Sequence, residues 1–202
     1  MKLLIRRQRL RQILRWTHRA LVGLGAAVLG YCGFILADAW VFQERASVEL
    51  ERRQVQERPG GEVGAAVPPA VGTDGLIGRI EIERIGLSAM VVEGTDRSTL
   101  RRAAGHVLHT ALPGQPGNIG IAGHRDTFFR PLRNVVQDDV VTLTTMRGEF
   151  RYRVVSTRVV VPSEISVLKA SAVEMLTLVT CYPFYFVGSA PSRFIVRAER
   201  VM

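Results

Sequence analysis

The sequence predicts a mainly β domain, either a closed barrel or a sandwich, behind one N-terminal transmembrane helix. An uncharged apolar run covers residues 20–37, and much of the chain after residue 74 alternates apolar and polar side chains with a period of two. At 47% hydrophobic and 22% charged residues, the chain is too apolar to be disordered. Six or more short strands within roughly 130 residues are typical of barrels and sandwiches.

Residues 20–42 are the predicted transmembrane helix. The segment approaches the ~20 residues that cross a ~30 Å hydrocarbon core, and Trp16 and Trp40 lie where interfacial aromatic residues concentrate. The preceding segment, 1–19, is basic and contains no acidic residue. The positive-inside rule therefore predicts a single-pass protein of the cell membrane, with a cytoplasmic N-terminus and an extracytoplasmic C-terminal domain.

A cleaved signal peptide is the alternative for this segment. Ala37-Asp38-Ala39 resembles an A-x-A cleavage site. The apolar run is longer than the ~7–15 residues usual in signal peptides, which favours the signal anchor.

The formal charge of +9 comes mostly from the N-terminus. Removing its seven basic residues from the total of 27 leaves 20 basic residues against 18 acidic ones. The rest of the chain is thus nearly neutral, and we predict no nucleic-acid partner.

The predicted domain boundaries follow from composition. Residues 43–58 are highly charged and lack Gly and Pro, which predicts a solvated helical stalk, and Pro and Gly then mark a linker. The stalk and linker together cover 43–73, and the folded domain covers 74–202. Within the domain we predict strands at 80–82, 140–143, 150–154, 159–161, 175–180 and 194–197, and a short helix at 96–104 capped by Asp96 or Ser98.

Cys181 is the only cysteine of the predicted extracytoplasmic domain, because Cys32 lies in the membrane segment. An unpaired thiol in an oxidising compartment suggests intermolecular pairing or a reactive group, and a buried inert cysteine is the alternative. Cys181 ends an apolar strand before Pro183, and Arg193 opens the next strand. An antiparallel hairpin would set Cys181 beside Arg193, which could otherwise be an ordinary surface residue.

His124 follows a short run of small and apolar residues, 120–123. A thiol nucleophile needs a partner that exchanges protons near neutral pH, and histidine titrates in that range. His106 and His109 are the other candidates, and each could equally have a structural role. The residues alone leave Cys/His catalysis as one of several hypotheses.

Three blocks of sequence resemble the signature motifs of sortases, most closely those of class D. They are GHRDTFFR (123–130), TLVTC (177–181) and APSRF (190–194), and the similarity runs from about residue 75 to 201. The resemblance implies an eight-stranded sortase-type β-barrel with short helices. It also implies cleavage of an LPxTG-like sorting signal between its fourth and fifth residues, and transfer to an amine acceptor of the cell envelope.

The resemblance carries roles to individual residues. It implies that Cys181 is the nucleophile, His124 the acid/base, Arg193 the essential arginine, and Thr180 a residue that lines the substrate site. Class D relatives favour an LPNTA-like signal. We predict no cofactor and no metal, since the chain lacks the dense acidic loop expected of a calcium site.

Two other functions remain open. A thiol hydrolase would use the same residues but release the acyl group to water. A non-catalytic metal-binding or scaffold domain would use His106, His109, His124 and Cys181 as zinc ligands.

Overall fold

The computed structural model describes residues 2–56, 71–72, 74–186 and 188–201. The chain forms two compact units, Met1–Trp40 and Val41–Met202. Helix α1, Lys2–Gln56, contributes to both units, and all of the strands belong to the second.

The first unit is the N-terminal part of α1. Its large apolar side chains are exposed to the surroundings, among them Trp16, Leu21, Leu29 and Phe34. Because an apolar helix without protein contacts needs a nonpolar environment, this pattern fits lipid. Among the described residues, α1 is the helix that is long and apolar enough to cross a membrane.

The second unit contains a closed eight-stranded barrel, which confirms the predicted fold class. The strand order around the barrel is β1-β2-β3-β4-β7-β8-β6-β5, and β5 closes the barrel by pairing with β1. The strands are β1 Leu76–Ile82, β2 Leu87–Glu93, β3 Ala104–His106, β4 Asn118–Ala122, β5 Val140–Thr145, β6 Gly148–Val160, β7 Met175–Tyr182 and β8 Ser192–Arg200.

The barrel interior holds the main hydrophobic core. Inward side chains include Ile80, Ile82, Leu143, Leu176 and Leu178, each at most 1% exposed. This alternating burial is the pattern that the period-two sequence predicts. The two strands predicted at 150–154 and 159–161 are one continuous strand to residue 160, since β6 pairs with both β5 and β8.

Helix α2, Arg97–Arg102, confirms the predicted short helix. Asp96 is its N-cap, and the Asp96 carboxylate accepts hydrogen bonds from the backbone N–H groups of Ser98 and Thr99. Such a cap satisfies donors that the first helical turn leaves unpaired. α2 joins β2 to β3, which lie parallel to each other.

β4 and β7 also run parallel, although many residues separate them in the chain. Gly120 pairs with Thr177 and Ala122 with Val179. Parallel neighbours end at the same edge of a sheet, so the residues that follow Ala122 and Val179 meet at one end of the barrel. His124 and Cys181 both lie just beyond this pairing.

The C-terminal part of α1 packs against the barrel, within the second unit. Leu50 is 1% exposed and lies in a small core with Leu76, Met90 and Met146. Gln43 accepts a hydrogen bond from the Met90 backbone N–H at 2.8 Å. Residues 43–56 therefore continue the helix, as predicted, but they are not the fully solvated stalk that their charge suggested.

The burial of Leu50 explains the difference. In the chain, Leu50 lies among the polar residues Glu49, Arg53 and Gln54, and Gln54 donates a hydrogen bond to the Thr145 carbonyl at 2.9 Å. One apolar stripe on a charged helix is enough to dock it. Residues 59–70 of the predicted Pro/Gly linker lie outside the described residues, and the domain boundaries remain predictions.

Candidate active site

Cys181 and Arg193 lie directly opposite each other on neighbouring strands. Cys181 is near the end of β7 and Arg193 near the start of β8, and the two are register partners in the antiparallel ladder. Directly opposite residues have Cβ atoms about 4.5–5.5 Å apart and side chains on the same face of the sheet. The predicted hairpin is confirmed, and it places Cys181 beside Arg193.

Cys181 faces away from the barrel core. Leu176 and Leu178 point into the core, so alternation directs Thr180 inward and Cys181 outward. The burial pattern agrees, because Thr180 is 2% exposed whereas Cys181 is partly exposed. The thiol is therefore accessible from the outer face of β7.

His124 is joined to the end of β7 by backbone hydrogen bonding. The Gly123 N–H donates to the Val179 carbonyl at 3.1 Å and so extends the parallel pairing of β4 and β7 by one residue. His124 comes next in the chain, and its side chain is exposed. The histidine and the cysteine thus follow adjacent, paired strand ends.

The backbone at Gly123 is packed too tightly for a side chain. A Cβ atom there would lie 2.7 Å from Cγ of Phe129, whose ring is fully buried in the core. The Phe129 N–H also donates to the His124 carbonyl at 3.1 Å. Phe129 and Gly123 together fix the turn that carries His124.

Thr180 is hydrogen-bonded to the backbone of this turn. Its hydroxyl donates to the Gly123 carbonyl at 2.7 Å, and the side chain is buried. The sequence analysis expected Thr180 to line the substrate site. The structure instead buries this side chain under the histidine turn, on the face of β7 opposite to Cys181.

The Arg193 guanidinium is held by the connection that precedes it. Its Nη1 donates to the Ser192 carbonyl at 3.0 Å and to the Ala190 carbonyl at 3.3 Å. These are its hydrogen bonds to the described residues, and they use only one of its three nitrogens. Nε and Nη2 can therefore serve a ligand on the face that carries Cys181.

Known proteins resemble this chain in sequence and in fold. The family model of the sortase domain matches residues 80–201, which is more than half of the chain. The chain belongs to the sortase family. Sortase family members are cysteine transpeptidases that act on proteins bearing sorting signals, and this chain is an enzyme of that class.

Individual relatives extend the match over most of the chain. Sortase D of Bacillus subtilis (strain 168) is 34% identical over 191 residues, covering 90% of this chain and 96% of that protein. The solved Sortase D5 transpeptidase of Clostridium perfringens has a TM-score of 0.62 and 25% identity, covering 80% of this chain and 99% of that one. A lid mutant of sortase A from Corynebacterium diphtheriae has a TM-score of 0.61 and 25% identity, covering 79% of this chain and 94% of that one.

The β6–β7 connection of this sortase packs against β4. Its 3₁₀ helix, Ile165–Leu168, is held by Asn118, whose Nδ2 donates to the carbonyls of Val167 and Lys169 at 3.0 and 3.2 Å. The Thr177 hydroxyl donates to Oδ1 of the same side chain at 2.7 Å. Asn118 thus ties the 3₁₀ helix to β4 and to Thr177 of β7.

His106 has a structural position in the sortase. It is buried, with Nδ1 2.9 Å from a carboxylate oxygen of Glu93 and Nε2 2.9 Å from the Ala111 carbonyl. Both ring nitrogens are occupied, so neither is available to a metal. Across the described residues, no three His, Cys, Asp or Glu side chains converge as a metal site, and the zinc set of the scaffold hypothesis is not assembled.

The sequence analysis assigned no role to two polar residues that the structure buries near the site. Arg125 and Asn118 both lie within or next to the motifs, yet the sequence alone does not indicate that they are buried. The only available signal was position: Arg125 directly follows the candidate histidine, and Asn118 begins the strand that leads to it.

Proposed function

We propose that this sortase cleaves an LPxTG-like C-terminal sorting signal, forms a thioester on Cys181, and transfers the protein to an amine acceptor of the cell envelope. We further propose His124 as the acid/base and Arg193 as the residue that stabilises the transition state. An LPNTA-like signal is one candidate sequence, in keeping with the similarity to a sortase D.

One observation carries the proposal. The accessible thiol of Cys181 lies directly opposite Arg193, and His124 follows the strand end that pairs beside it. A thiol, a guanidinium and an imidazole group thus belong to residues at one end of the barrel. This is the set of groups that acyl transfer through a thiol requires.

In the first half-reaction, the Cys181 thiolate attacks the carbonyl carbon of the signal's threonine, because the thiolate is the nucleophilic form. The carbon–sulfur bond forms first and gives a tetrahedral intermediate, from which the peptide C–N bond then breaks. His124 donates a proton to the departing amine. Arg193 stabilises the negative charge that develops on the carbonyl oxygen, through the guanidinium N–H groups that its own connection does not use.

In the second half-reaction, the amine of the acceptor attacks the thioester. His124 takes a proton from this amine, and the thiolate of Cys181 leaves. Resolution by water instead of an amine would make the enzyme a thiol hydrolase. Product analysis with and without an added amine distinguishes the two functions.

Trapping the acyl-enzyme tests the proposal. We would incubate the full-length chain, in detergent micelles, with LPxTG-like and LPNTA-like peptides and no amine, and then digest it for mass spectrometry. The expected result is the N-terminal part of the peptide attached to the fragment that contains Cys181. Peptide cleavage without any adduct on Cys181 would contradict covalent catalysis by this residue.

We also propose that α1 is a single-pass anchor, with residues 1–19 in the cytoplasm and the barrel outside the cell membrane. The basic N-terminal segment supports this orientation. Protease added to intact spheroplasts should digest the barrel domain. Protection of the domain would contradict the orientation, and a mature chain beginning at Trp40 would establish the signal-peptide alternative.

A further inference from the structure

Arg125, the residue after His124, is buried although its side chain is charged. It is 6% exposed, and arginine is rarely buried without partners. Its Nη1 donates to the Pro183 carbonyl at 2.9 Å, and its Nη2 donates to the carbonyls of Phe186 and Gly188 at 2.6 and 3.0 Å. All three acceptors belong to the connection between β7 and β8.

The shape of arginine suits this position. A planar guanidinium presents its donors as a rigid fork, so one side chain reaches three carbonyls that point from different places along a loop. The guanidinium carbon also lies 5.9 Å from the centre of the Phe186 ring, and Nε lies 3.5 Å from Oδ1 of the exposed Asp126. A lysine would place a single ammonium group here and would not span the same acceptors.

The connection that Arg125 holds leads from Cys181 to Arg193. Its carbonyls at Ala190 and Ser192 accept the hydrogen bonds from Nη1 of Arg193. The path of this connection therefore sets where the Arg193 guanidinium lies. Because Arg125 is covalently next to His124, its three hydrogen bonds link the histidine turn to the segment between the other two candidate residues.

We propose that Arg125 is a positioning residue, which clamps the β7–β8 connection and thereby sets Cys181 and Arg193 relative to His124. The effect that this inference predicts on kcat rests on the proposed function. The clamp itself is a property of the folded chain. The two can therefore be tested by separate measurements.

Hydrogen exchange tests the clamp without any substrate. Full-length wild-type enzyme, Arg125→Ala and Arg133→Ala would be compared in detergent micelles by mass spectrometry. Arg133 is the matched control, because it is an exposed arginine near the same connection. Its guanidinium carbon lies 5.6 Å from the centre of the Tyr185 ring. Backbone exchange in the peptide that spans 182–192 should rise in Arg125→Ala and stay at the wild-type rate in Arg133→Ala.

Peptide cleavage tests the positioning role. At a temperature where all variants are folded, Arg125→Ala should lower kcat about 10- to 100-fold, since displacing catalytic groups by about 1 Å is enough for such a loss. KM should change much less, and alkylation of Cys181 by iodoacetamide should stay close to the wild-type rate. Arg125→Lys should give an intermediate kcat because it restores one donor group. If the alanine variant does not fold, the lysine variant is used for the same kinetic comparison.

Each possible outcome decides one part of the inference. Unchanged exchange in the 182–192 peptide of Arg125→Ala would overturn the clamp, whether or not any peptide is cleaved. Increased exchange with an unchanged kcat would show that the clamp only stabilises the fold, and would overturn the positioning role. Failure of the wild-type enzyme to cleave any sorting-signal peptide would contradict the proposed function, while the exchange data would still decide the clamp.

Discussion

Replacing Cys181 by alanine should abolish both cleavage of the sorting signal and transfer to an amine. The proposed mechanism forms its only covalent intermediate on this thiol, and loss of a catalytic nucleophile lowers kcat by roughly 10⁴-fold or more. Because Cys181 is partly exposed at a strand end, the free energy of unfolding should change by less than about 1 kcal/mol. Peptide cleavage and thermal unfolding of the same full-length preparation check both expectations.

Cys32→Ala is the matched control for this experiment. Cys32 is the other cysteine of the chain and lies in the apolar part of α1, so its removal should leave cleavage and transfer at wild-type rates. Substantial turnover by a folded Cys181→Ala variant would rule out covalent catalysis through this residue. Loss of activity in both variants would indicate a general effect of removing thiols.

Arg193→Ala should lower the rate of acylation by peptide about 10²- to 10³-fold, the usual effect of removing one donor that stabilises an oxyanion. The guanidinium lies on the strand opposite the thiol, where a fixed cation favours the charged tetrahedral intermediate over the neutral substrate. Arg193→Lys keeps the charge without the planar fork and should recover only part of the rate. Single-turnover kinetics measure this step directly.

Alkylation of Cys181 separates two explanations for such a loss. A small alkylating agent forms no oxyanion, so folded Arg193→Ala should react with it at nearly the wild-type rate. An equally steep fall in alkylation would mean that Arg193 acts by lowering the pKa of the thiol. Unchanged rates in both reactions would make Arg193 an ordinary surface residue.

Arg197→Ala provides the charge control on the same strand. Arg197 is four residues further along β8, on the same face and about 13 Å away along the strand, and it pairs with Thr177. Its removal takes the same charge from this face of the sheet. Acylation should therefore remain near the wild-type rate if position, and not overall charge, explains the effect of Arg193.

Local signals made the Cys181 and Arg193 pairing predictable from sequence. Both strands are rich in β-branched or aromatic residues, they are adjacent in the chain, and Pro183 marks the end of β7. The position of Thr180 could have been found in the same way, since neighbouring residues on a strand face opposite sides. Its motif suggested a residue that lines the site, whereas alternation directs it inward.

His124 could be joined to this pair only through the family resemblance. The link depends on the parallel pairing of β4 with β7, which are separated by two strands in the chain. No local pattern specifies such a pairing. β2 and β3 are absent from the predicted strands. β3 has three residues, and its neighbours β2 and β4 hold it in the sheet.

The sequence also did not indicate which side chains are buried among charged neighbours. Arg125 stands in a polar motif, and Leu50 stands in a run of charged residues. Composition predicts solvation in both places. Each is buried because a distant segment covers it, the β7–β8 connection for Arg125 and the barrel wall for Leu50.

The docked part of α1 decides where a soluble form of the enzyme should begin. Leu50 and Gln43 hold this part of the helix to the barrel, and it belongs to the same compact unit, Val41–Met202. A soluble form should therefore begin at Val41, because a start at Asp74 would uncover the apolar patch that Leu50 fills.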